Sequence, residues 1–551
     1  MITAAVPYAL RVALTRSIVG LLAAVAILLG VAPAAVAPAA VASTDSSAAS
    51  CAAHWVGSWA ASPSDASLLS PTLVGQTVRM IVAPHLGGDI LRVHLSNRFG
   101  SLPVTVGPVT VGVQSSGPSL VPGSERSVTF SQQTFVTIPA GGEVVSDPVT
   151  LSFAAFQDLA VSIAAQGIVL AATEHHYTRQ TSYLTPPLSG NHAADTSGSA
   201  FTQTTTTGSS STGWYFLDGI DVMAPGSVGA VVAFGDSITD GYQGTGGSDN
   251  TEDLSTINTN GRWPDDLARR LIAAKIPLSV LNAGIAGNEL LYTGSGVTGP
   301  GGLSRFGVDA LAQAGVTDVI QAEGINDIGG GRSASQVIGA DEQLIAQAHA
   351  AGVHIQLATL LPAGGPIGLD AAANAVRDQV NQWIRTQQLS DGVVDFDAAL
   401  RDPNDPSEIN PPLVSGDGIH PDLAGYQAMA NAVNLALLAH PQCSVAAPPV
   451  ARVRVSALRS AAHTRPRFLV RWSASDTGGA GTAYFTVQVE SIGPHRGSRR
   501  RVPRWQTLRR FAKTTKTSLR FTGHIGDRYK FRVSATDTSG MAGGWATTRT
   551  V

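Results

Sequence analysis

Four short segments of the chain carry residue types that can act together in acyl transfer. The first is Gly235-Asp236-Ser237, whose serine hydroxyl becomes a nucleophile once a neighbouring base removes its proton. The second is a glycine-rich segment around Gly287, because a glycine lets the backbone approach a ligand closely and point an N–H at it. The third contains Asn326, whose amide can donate a hydrogen bond to a developing oxyanion. The fourth is Asp417-Gly418-Ile419-His420, in which the carboxylate can hold one imidazole nitrogen and leave the other to accept the serine proton.

Each segment taken alone also has a plain structural interpretation. Gly-Asp-Ser can be a turn that caps a helix, and a loop asparagine such as Asn326 commonly forms an Asx turn. An aspartate and a histidine three residues apart, such as Asp417 and His420, can be a surface pair or a helix cap. The case for chemistry therefore depends on whether the fold brings the four segments together.

The region that contains these segments, residues 226–440, alternates between strand-like and helix-like patterns. The predicted strands are Ala230–Phe234, Leu278–Asn282, Asp318–Ala322, His354–Thr359 and Val393–Phe396. The predicted helices are Trp263–Ala274, Leu303–Ala314, Ser333–Ala351, Ala371–Gln388 and Leu423–Ala439. Strict alternation predicts a parallel sheet with helices on both faces, in which ligands bind at the carboxyl ends of the strands. The first three segments directly follow predicted strands, so we expect them to lie at one edge of the sheet.

Both flanking regions have the patterns of β structure. Residues 52–225 contain short β-branched runs separated by Gly, Pro and Ser clusters, which predicts an antiparallel sandwich or jelly roll. Residues 451–551 show turn signals at the spacing of a small β-sandwich, and a short Pro-containing linker precedes them. The sequence therefore predicts three folded modules.

In its four segments the chain resembles the SGNH hydrolases, also called GDSL esterases. Gly235-Asp236-Ser237 matches the first block of that family, Gly287 the second, Gly324-x-Asn326-Asp327 the third and Asp417-x-x-His420 the last. The resemblance covers residues 229–440, about two-fifths of the chain. Three further tripeptides are similar to a subgroup of secreted acylhydrolases found alongside xylan-degrading enzymes: Arg262-Trp263-Pro264, Ser304-Arg305-Phe306 and Asp395-Phe396-Asp397.

The resemblance implies an SGNH-type three-layer α/β/α fold around a parallel sheet, flanked here by the N-terminal antiparallel β domain and the C-terminal small β-sandwich. It implies that Ser237 attacks an ester carbonyl, that His420 acts as general base and then general acid, and that Asp417 orients His420. The N–H groups of Ser237 and Gly287 and the side-chain amide of Asn326 would form the oxyanion hole. No metal and no organic cofactor is expected for this mechanism.

These implications lead us to expect a serine esterase that hydrolyses short acyl esters, among them acetyl groups on polysaccharide. One alternative is a lipase or phospholipase, which the lack of a long apolar lid between the motifs disfavours. Another is a non-catalytic surface protein that uses its β domains to bind carbohydrate, against which the complete set of catalytic blocks argues.

Two other features have competing interpretations. The adjacent His175 and His176 suggest a metal, but without a HExxH spacing or an evident third ligand we expect ordinary histidines of the β domain. Arg305 can either contact substrate or form an ion pair on its helix.

The N-terminus has the pattern of a signal peptide. Arg11 and Arg16 precede the uncharged apolar run Ile18–Val31, and Ala40-Val41-Ala42 fits the small-x-small rule for cleavage. We therefore expect residues 1–42 to be removed and the mature protein to be secreted. The alternative is an uncleaved anchor helix, because the uncharged stretch exceeds the ~20 residues that cross a bilayer.

The chain has two cysteines, Cys51 near the mature N-terminus and Cys443 just after the last helix of the α/β region. An oxidising compartment permits a disulfide bond between them. We expect the bridge, the alternative being two free thiols.

Charge is distributed unevenly along the chain. Residues 450–551 hold 20 Lys and Arg and 4 Asp and Glu, a net charge of +16, whereas the preceding residues carry −19. A dense run, Arg499-Arg500-Arg501-Val502-Pro503-Arg504, lies in the basic part. We expect the C-terminal module to bind an anionic cell-surface polymer or lipid headgroups, with no nucleic acid as partner; the alternative is a solvated basic face.

Overall fold

The computed structural model describes most of the chain after the predicted signal peptide. The described residues are 52–66, 72–204, 212–246, 251–294, 296–365, 368–439, 449–458, 465–475, 482–492, 505–537 and 542–551. Cys51, Cys443 and the arginine-rich run 499–504 lie outside the described residues, as does the predicted signal peptide.

The N-terminal region is antiparallel β structure, as predicted. Its strands are β1 (His54–Ala60), β2 (Leu73–Val74), β3 (Thr77–Val82), β4 (Gly88–Ser96), β5 (Val104–Ser116), β6 (Ser119–Leu120), β7 (Arg126–Val128), β8 (Val136–Ile138), β9 (Glu143–Val145), β10 (Val149–Phe153), β11 (Leu159–Ala165), β12 (Ile168–Val169), β13 (Glu174–His176), β14 (Ser182–Leu184), β15 (Gln203–Thr204), β16 (Gly213–Tyr215) and β17 (Leu217–Ala224). A 3₁₀ helix spans Gly198–Ala200.

Two main sheets share the core of this region. Their strand orders are β1-β17-β4-β10 and β15-β14-β3-β11-β5-β6. Alternate residues of β4, Leu91, Val93 and Leu95, are buried in the core that also contains Met80 of β3 and Val161 of β11. This alternation gives the strand one face that is buried in the core.

The central region contains a five-stranded parallel sheet. Its strands are β18 (Gly229–Gly235), β19 (Leu278–Gly284), β20 (Val316–Ala322), β21 (His354–Ala358) and β22 (Gly392–Val394), in the order β19-β18-β20-β21-β22. Every strand pair in this sheet is parallel. All five predicted strands are present, with ends that differ from the prediction by at most two residues.

Helices lie between the strands of the sheet. They are α1 (Ser237–Asp240), α2 (Trp263–Ala274), α3 (Gly302–Phe306), α4 (Ile325–Gly329), α5 (Ala334–Ala350), α6 (Ala371–Thr386), α7 (Phe396–Leu400) and α8 (Leu423–Ala432). Short 3₁₀ helices span Leu254–Thr256, Gly296–Thr298, Pro411–Leu413 and Leu435–Leu437, and a π turn spans Gly307–Leu311.

Both faces of the parallel sheet are buried. Val232 and Phe234 of β18 pack in one core with residues of α5 and α6. The intervening residues Val231 and Ala233 pack in a second core with α2 and α8. Burial on both faces explains why these strands read as continuous apolar runs rather than alternating ones.

Two helices end earlier than the sequence predicted, so the prediction of their C-terminal ends was wrong. The helix predicted over Leu303–Ala314 ends at Phe306 and continues as the π turn from Gly307, a residue with low helix propensity. The helix predicted over Leu423–Ala439 ends at Ala432. There Asn434 instead accepts a hydrogen bond from the N–H of Ala436 and caps a separate 3₁₀ helix, a local bond that competes with the helical backbone.

The C-terminal region is also β structure. Its strands are β23 (Val450–Leu458), β24 (Arg467–Ser475), β25 (Thr482–Ile492), β26 (Gln506–Thr507), β27 (Ser518–Thr522), β28 (Arg528–Asp537) and β29 (Ala546–Thr547), with a 3₁₀ helix at Arg509–Phe511. They form two sheets, β23-β24-β27 and β26-β25-β28-β29, around a common apolar core. Among the helices that the structure describes, none has the length and apolar character needed to cross a bilayer.

Candidate active site

Ser237 stands at the turn between β18 and α1, at the carboxyl edge of the parallel sheet. The Asp236 side chain caps α1 by accepting the Ile238 N–H at 3.0 Å. Gly235 is required before this turn, because a Cβ atom there would lie 2.6 Å from the carbonyl oxygen of Ala322. The tight turn presents the Ser237 hydroxyl, on a residue only 8 % exposed, to a cleft above the sheet.

His420 and Asp417 form a hydrogen-bonded chain with this serine. Ser237 Oγ and His420 Nε2 are 2.8 Å apart, and His420 Nδ1 and Asp417 Oδ2 are 2.6 Å apart. Asp417 Oδ1 also accepts the backbone N–H groups of Ile419 and His420, each at 3.0 Å. The loop therefore holds the carboxylate and the imidazole in line with the serine.

The surroundings of Asp417 favour its ionised form. Burial alone would raise the pKa of this carboxyl, but the hydrogen bond and charge of His420 and the two backbone donors outweigh burial. The pKa of Asp417 is therefore held well below its ordinary value. An ionised Asp417 can fix one tautomer of His420 and leave Nε2 as the acceptor for the serine proton.

Three hydrogen-bond donors line the cleft beside Ser237. Two are the backbone N–H groups of Ser237 and Gly287, which donate no hydrogen bond to the described part of the chain. Gly287 has φ +74°, a conformation that favours glycine. The third is the amide of Asn326 on α4, which donates one hydrogen bond to the Asn288 carbonyl at 2.8 Å and has a second N–H to offer.

The cleft has a volume of about 620 Å³ and is mostly apolar around these donors. Its apolar lining includes Ile238, Val297, Ile325, Leu361, Pro362, Leu369 and Ile419. Glu289 is the one Asp or Glu, and no Lys or Arg occurs, among the described residues that line it. A neutral ester therefore fits this cleft better than an anionic one.

Asp327 holds the loop that carries Gly287. Its two carboxylate oxygens accept the N–H groups of Leu290 at 2.7 Å and Leu291 at 3.0 Å. Burial raises the pKa of Asp327 against the opposing effect of these two donors. The Gly-x-Asn-Asp segment thus supplies one side chain that faces the cleft, Asn326, and one that supports the neighbouring loop.

Arg305 joins the carboxyl ends of the strands from below the cleft. Its side chain, 2 % exposed, donates to Asn288 Oδ1 at 2.7 Å, to the Ala283 carbonyl at 2.7 Å and to the Gly235 carbonyl at 2.8 Å. It also lies 3.3 Å from Glu323 Oε2. Of the two interpretations of Arg305, the structure favours the ion pair, and the guanidinium does not line the cleft.

The N-terminal region reaches the loop around Gly287 through His175. His175 Nε2 is 3.1 Å from Asp240 Oδ1 on α1, and its Nδ1 is 2.7 Å from the Ser62 carbonyl. Asp240 Oδ2 in turn accepts the N–H of Ala286, the residue before Gly287. His175 thus contacts protein groups on both ring nitrogens, and the described residues contain no cluster suited to a metal ion.

Tyr177, also from the N-terminal region, lines the cleft directly. Its ring packs edge-on against Tyr242 with centroids 5.4 Å apart, and Tyr242 packs against His420 at 4.9 Å. Tyr177 has φ +62°, an uncommon conformation for a residue other than glycine. Sequence reasoning missed both tyrosines, since nothing in the local pattern links residue 177 to a site in the next region.

A comparison with known families now identifies the central region. The family model described as GDSL-like lipase/acylhydrolase matches residues 233–428, from β18 into α8. This range contains Ser237, Gly287, Asn326, Asp417 and His420. Residues 233–428 are a GDSL-like lipase/acylhydrolase domain. Through this domain the protein is a GDSL-type hydrolase of carboxylic esters, and the resemblance of the central region to the GDSL family is confirmed.

Comparisons with individual proteins add little. A protein from Desulfitobacterium hafniense DCB-2, described as lipolytic and of the G-D-S-L family, has 22 % identity, covers 37 % of this chain and 96 % of its own, and has a TM-score of 0.28. Est24, a carbohydrate acetylesterase from Sinorhizobium meliloti, has 15 % identity, covers 37 % and 95 %, and has a TM-score of 0.30. A family two carbohydrate esterase from Clostridium thermocellum has 16 % identity, covers 67 % and 95 %, and has a TM-score of 0.29. These TM-scores are too low to carry an argument about substrate, and no protein with a curated description matches the chain.

Proposed function

We propose that this GDSL-type hydrolase is an exported serine esterase that uses Ser237, His420 and Asp417 as a catalytic triad. The observation that carries the proposal is the chain of two short hydrogen bonds from Asp417 through His420 to the Ser237 hydroxyl in the cleft. The three donors beside Ser237 supply a place for the oxyanion. A candidate nucleophile, base and oxyanion donors thus line one cleft, and the carboxylate that would orient the base lies 2.6 Å from the imidazole.

The reaction proceeds in two displacements. Ser237 Oγ attacks the acyl carbon while His420 Nε2 takes its proton, and the carbonyl oxygen gains negative charge facing the N–H groups of Ser237 and Gly287 and the amide of Asn326. His420 then gives the proton to the alcohol oxygen, the ester C–O bond breaks and an acyl-serine remains. Water attacks the acyl-serine with His420 again as base, which releases the acid and returns the proton to Ser237.

We propose short acyl esters, among them acetyl groups on polysaccharide, as the substrate class. The resemblance of Arg262-Trp263-Pro264, Ser304-Arg305-Phe306 and Asp395-Phe396-Asp397 to the xylan-associated subgroup supports this choice. A phospholipid headgroup would find Glu289 and no cation among the described residues that line the cleft. This charge distribution supports an esterase over the phospholipase alternative.

The alcohol part of the substrate would lie near the two tyrosines. His420 must donate its proton to the alcohol oxygen, so the leaving alcohol lies beside the imidazole against which Tyr242 packs. Tyr177 extends this aromatic wall further along the cleft. A sugar ring presents C–H groups that can pack against such rings, which supports a polysaccharide as the alcohol.

We further propose the module boundaries and the destination of the chain. Residues 1–42 would be a signal peptide, and 52–225, 226–440 and 451–551 would be the N-terminal, catalytic and C-terminal modules. The parallel sheet would be the middle of three α/β/α layers, which burial on both of its faces supports. Export would allow a disulfide bond between Cys51 and Cys443.

The function is tested with p-nitrophenyl acetate and the mature protein. Ser237→Ala and His420→Ala should each lower kcat by a factor on the order of 10⁶, because in a comparable serine hydrolase either loss removes the nucleophilic mechanism. Ser335→Ala, at an exposed position of α5, is the matched control and should leave kcat unchanged. Activity that survives in Ser237→Ala would refute the mechanism.

The substrate class is tested by a second series. Turnover should fall as the acyl chain of p-nitrophenyl esters lengthens from acetate to palmitate, and acetylated xylan should release acetate. A preference for long chains would instead support the lipase alternative.

EDTA should leave the turnover of p-nitrophenyl acetate unchanged, because no step of the proposed mechanism uses a metal ion.

A further inference from the structure

Five arginines share one exposed face of the C-terminal region. They are Arg452 and Arg454 on β23, Arg467 and Arg471 on β24, and Arg520 on β27. All five are exposed, whereas the alternate residues of the same strands, such as Val470 and Leu519, point into the core. Strand pleating therefore puts the five side chains on the outer surface of the β23-β24-β27 sheet, which we call the arginine face.

The register of this sheet brings like charges together. Arg471 pairs directly with Arg454 on β23, and Arg520 pairs with Leu469, which makes Arg520 a diagonal neighbour of Arg471. Arg452, paired with Ser473, is the diagonal neighbour on the other side. Directly opposed residues have Cβ atoms about 4.5–5.5 Å apart, and like charges there are unfavourable.

The arginine face has no carboxylate partner at ion-pair distance among the described residues. Strands β23, β24 and β27 contain no Asp or Glu, and none of the five arginines forms an ion pair with a described residue. A surface that places arginines opposite one another, with no carboxylate in its three described strands, is suited to an anion from outside the chain.

We propose that the arginine face binds a polysaccharide that carries carboxylate groups. Arginine forks pair bidentately with carboxylates, and alternate residues along a strand repeat at roughly 6–7 Å, so the face offers rows of forks to a linear polymer. The choice of polysaccharide rests on the proposed function, because the same polymer would carry the acyl esters that the catalytic domain cleaves.

The composition of the face favours a polymer over a membrane. Most other outward residues of the three strands are Ser or Thr, for example Ser456, Ser473, Ser518 and Thr522. Val450, 57 % exposed at the edge, is the one exposed large apolar side chain on these described strands. A single valine gives too little apolar surface for insertion into a bilayer.

Binding to polygalacturonate tests the proposal with the full-length mature protein. The triple variant Arg454→Gln, Arg471→Gln and Arg520→Gln should bind at least about tenfold more weakly than wild type at low salt. The matched control is Arg509→Gln, Arg510→Gln and Arg528→Gln, which removes the same charge from exposed positions outside the arginine face. The control triple should keep most of the affinity, and wild-type binding should weaken steeply from about 50 to about 300 mM NaCl.

A thermal measurement guards against a misfolded variant. Polygalacturonate should raise the Tm of the wild type and of the control triple but not that of the arginine-face triple. Without ligand, the single variant Arg471→Gln should be at least as stable as wild type, because it removes the opposed and diagonal repulsions. A correctly folded Arg471→Gln that binds as tightly as wild type would count against the proposal.

Several results would overturn the proposal that the arginine face binds a polysaccharide with carboxylate groups. Equal losses in the two triple variants would show that only net charge matters, and equal binding to unsubstituted xylan would show that charge does not matter. Tighter binding to phosphatidylglycerol vesicles than to polygalacturonate would assign the face to a membrane. Turnover of p-nitrophenyl acetate is measured on the same samples, so that an inactive protein that still binds would refute the esterase and leave the arginine face intact.

Discussion

The side-chain amide of Asn326 has two N–H groups, and each can have a different role. One N–H of its amide is used by the Asn288 carbonyl, and the other is available to the cleft. Asn326→Ala should lower kcat by about 10²–10³ while KM changes little, because the lost hydrogen bond forms only as charge develops on the substrate oxygen. Steady-state kinetics with p-nitrophenyl acetate measures both constants.

Asn431→Ala, at an exposed position of α8, is the control for Asn326→Ala and should behave as wild type. An Asn326→Ala enzyme with unchanged kcat would remove this amide from the oxyanion hole. A rise in KM alone would assign the side chain to ground-state binding.

Tyr177 should influence the alcohol part of the substrate. Tyr177→Ala should raise KM for acetylated xylo-oligosaccharides several-fold and leave kcat/KM for the small methyl acetate nearly unchanged, because only the larger alcohol reaches this ring. Tyr177→Phe, which keeps the ring and removes the hydroxyl, should behave as wild type. Equal losses on both esters would show that Tyr177 supports the position of Tyr242 and His420 instead.

At the scale of the elements, the buried side chain of Arg305 joins the strand ends that carry the site. Arg305, on α3, bonds the carbonyls that end β18 and β19, and it faces Glu323, which directly follows β20. Burial raises the pKa of Glu323 to about 8, against the opposing charge of Arg305. The guanidinium therefore joins three strand ends, and its charge limits the rise in the pKa of Glu323.

Arg305→Met should lower the free energy of unfolding by about 3–5 kcal/mol, because it leaves a buried carboxyl and several carbonyls without their partner. Urea denaturation measures the loss. Adding Glu323→Gln should restore stability only at pH values above the raised pKa of Glu323, because below it the buried carboxyl is already neutral. Arg401→Met removes an exposed arginine that lies 3.5 Å from the buried Asp397, and it should cost less than about 1 kcal/mol because Asp397 keeps its pair with Arg377 at 2.9 Å.

A loss in Arg305→Met no larger than that in Arg401→Met would show that the network contributes little. A full loss of activity with unchanged stability would instead place Arg305 in the reaction.

At the scale of the whole molecule, the N-terminal region and the GDSL domain share buried polar contacts. His175 contacts Asp240, His85 Nε2 lies 2.9 Å from Asp265 Oδ1, and Arg179 lies 3.2 Å from Glu252. All of these side chains are buried. Removal of the N-terminal region would therefore leave buried polar groups of the GDSL domain exposed and without these partners, so we expect the two regions to unfold together.

Several buried carboxyls make the stability of the molecule depend on pH. Burial raises the pKa of Asp218, Asp236 and Glu252 to about 7, as well as that of Glu323. Such groups hold a proton in the folded state at pH values where the unfolded chain has lost it. The free energy of unfolding therefore falls as pH rises from about 4–5, near the unfolded values, to about 7–8.

We accordingly expect the Tm to fall between pH 5 and pH 8. Asp236→Asn and Glu252→Gln should each make this fall shallower, whereas Glu342→Gln, at an exposed position of α5, should not. Asp417 does not contribute to the change in Tm between pH 5 and pH 8. Its pKa is depressed, so the stabilisation that it provides is lost only when the pH falls below the ordinary pKa of an aspartate. A Tm that is constant from pH 5 to pH 8 would contradict the expectation, and differential scanning calorimetry measures it.

The sequence by itself determined the local features of this protein. Apolar runs bounded by turns specify the five parallel strands, and a parallel sheet puts the loops after β18, β19 and β20 at one edge. That rule is sufficient to expect Ser237, Gly287 and Asn326 in one cleft. It does not apply to His420, which follows its strand at a distance: residue type and spacing suggested its chemistry, and the family resemblance connected it with Ser237.

The tertiary structure decided which distant groups meet. Tyr177 reaches the cleft, and His175 reaches Asp240, only because the N-terminal region packs on the loops of the GDSL domain. Likewise, alternation along β23 and β24 shows that Arg454 and Arg471 point outward, but the strand register sets them opposite each other. The physical reason is that periodicity and turn chemistry are properties of neighbouring residues, whereas register and packing depend on contacts between segments far apart in the chain.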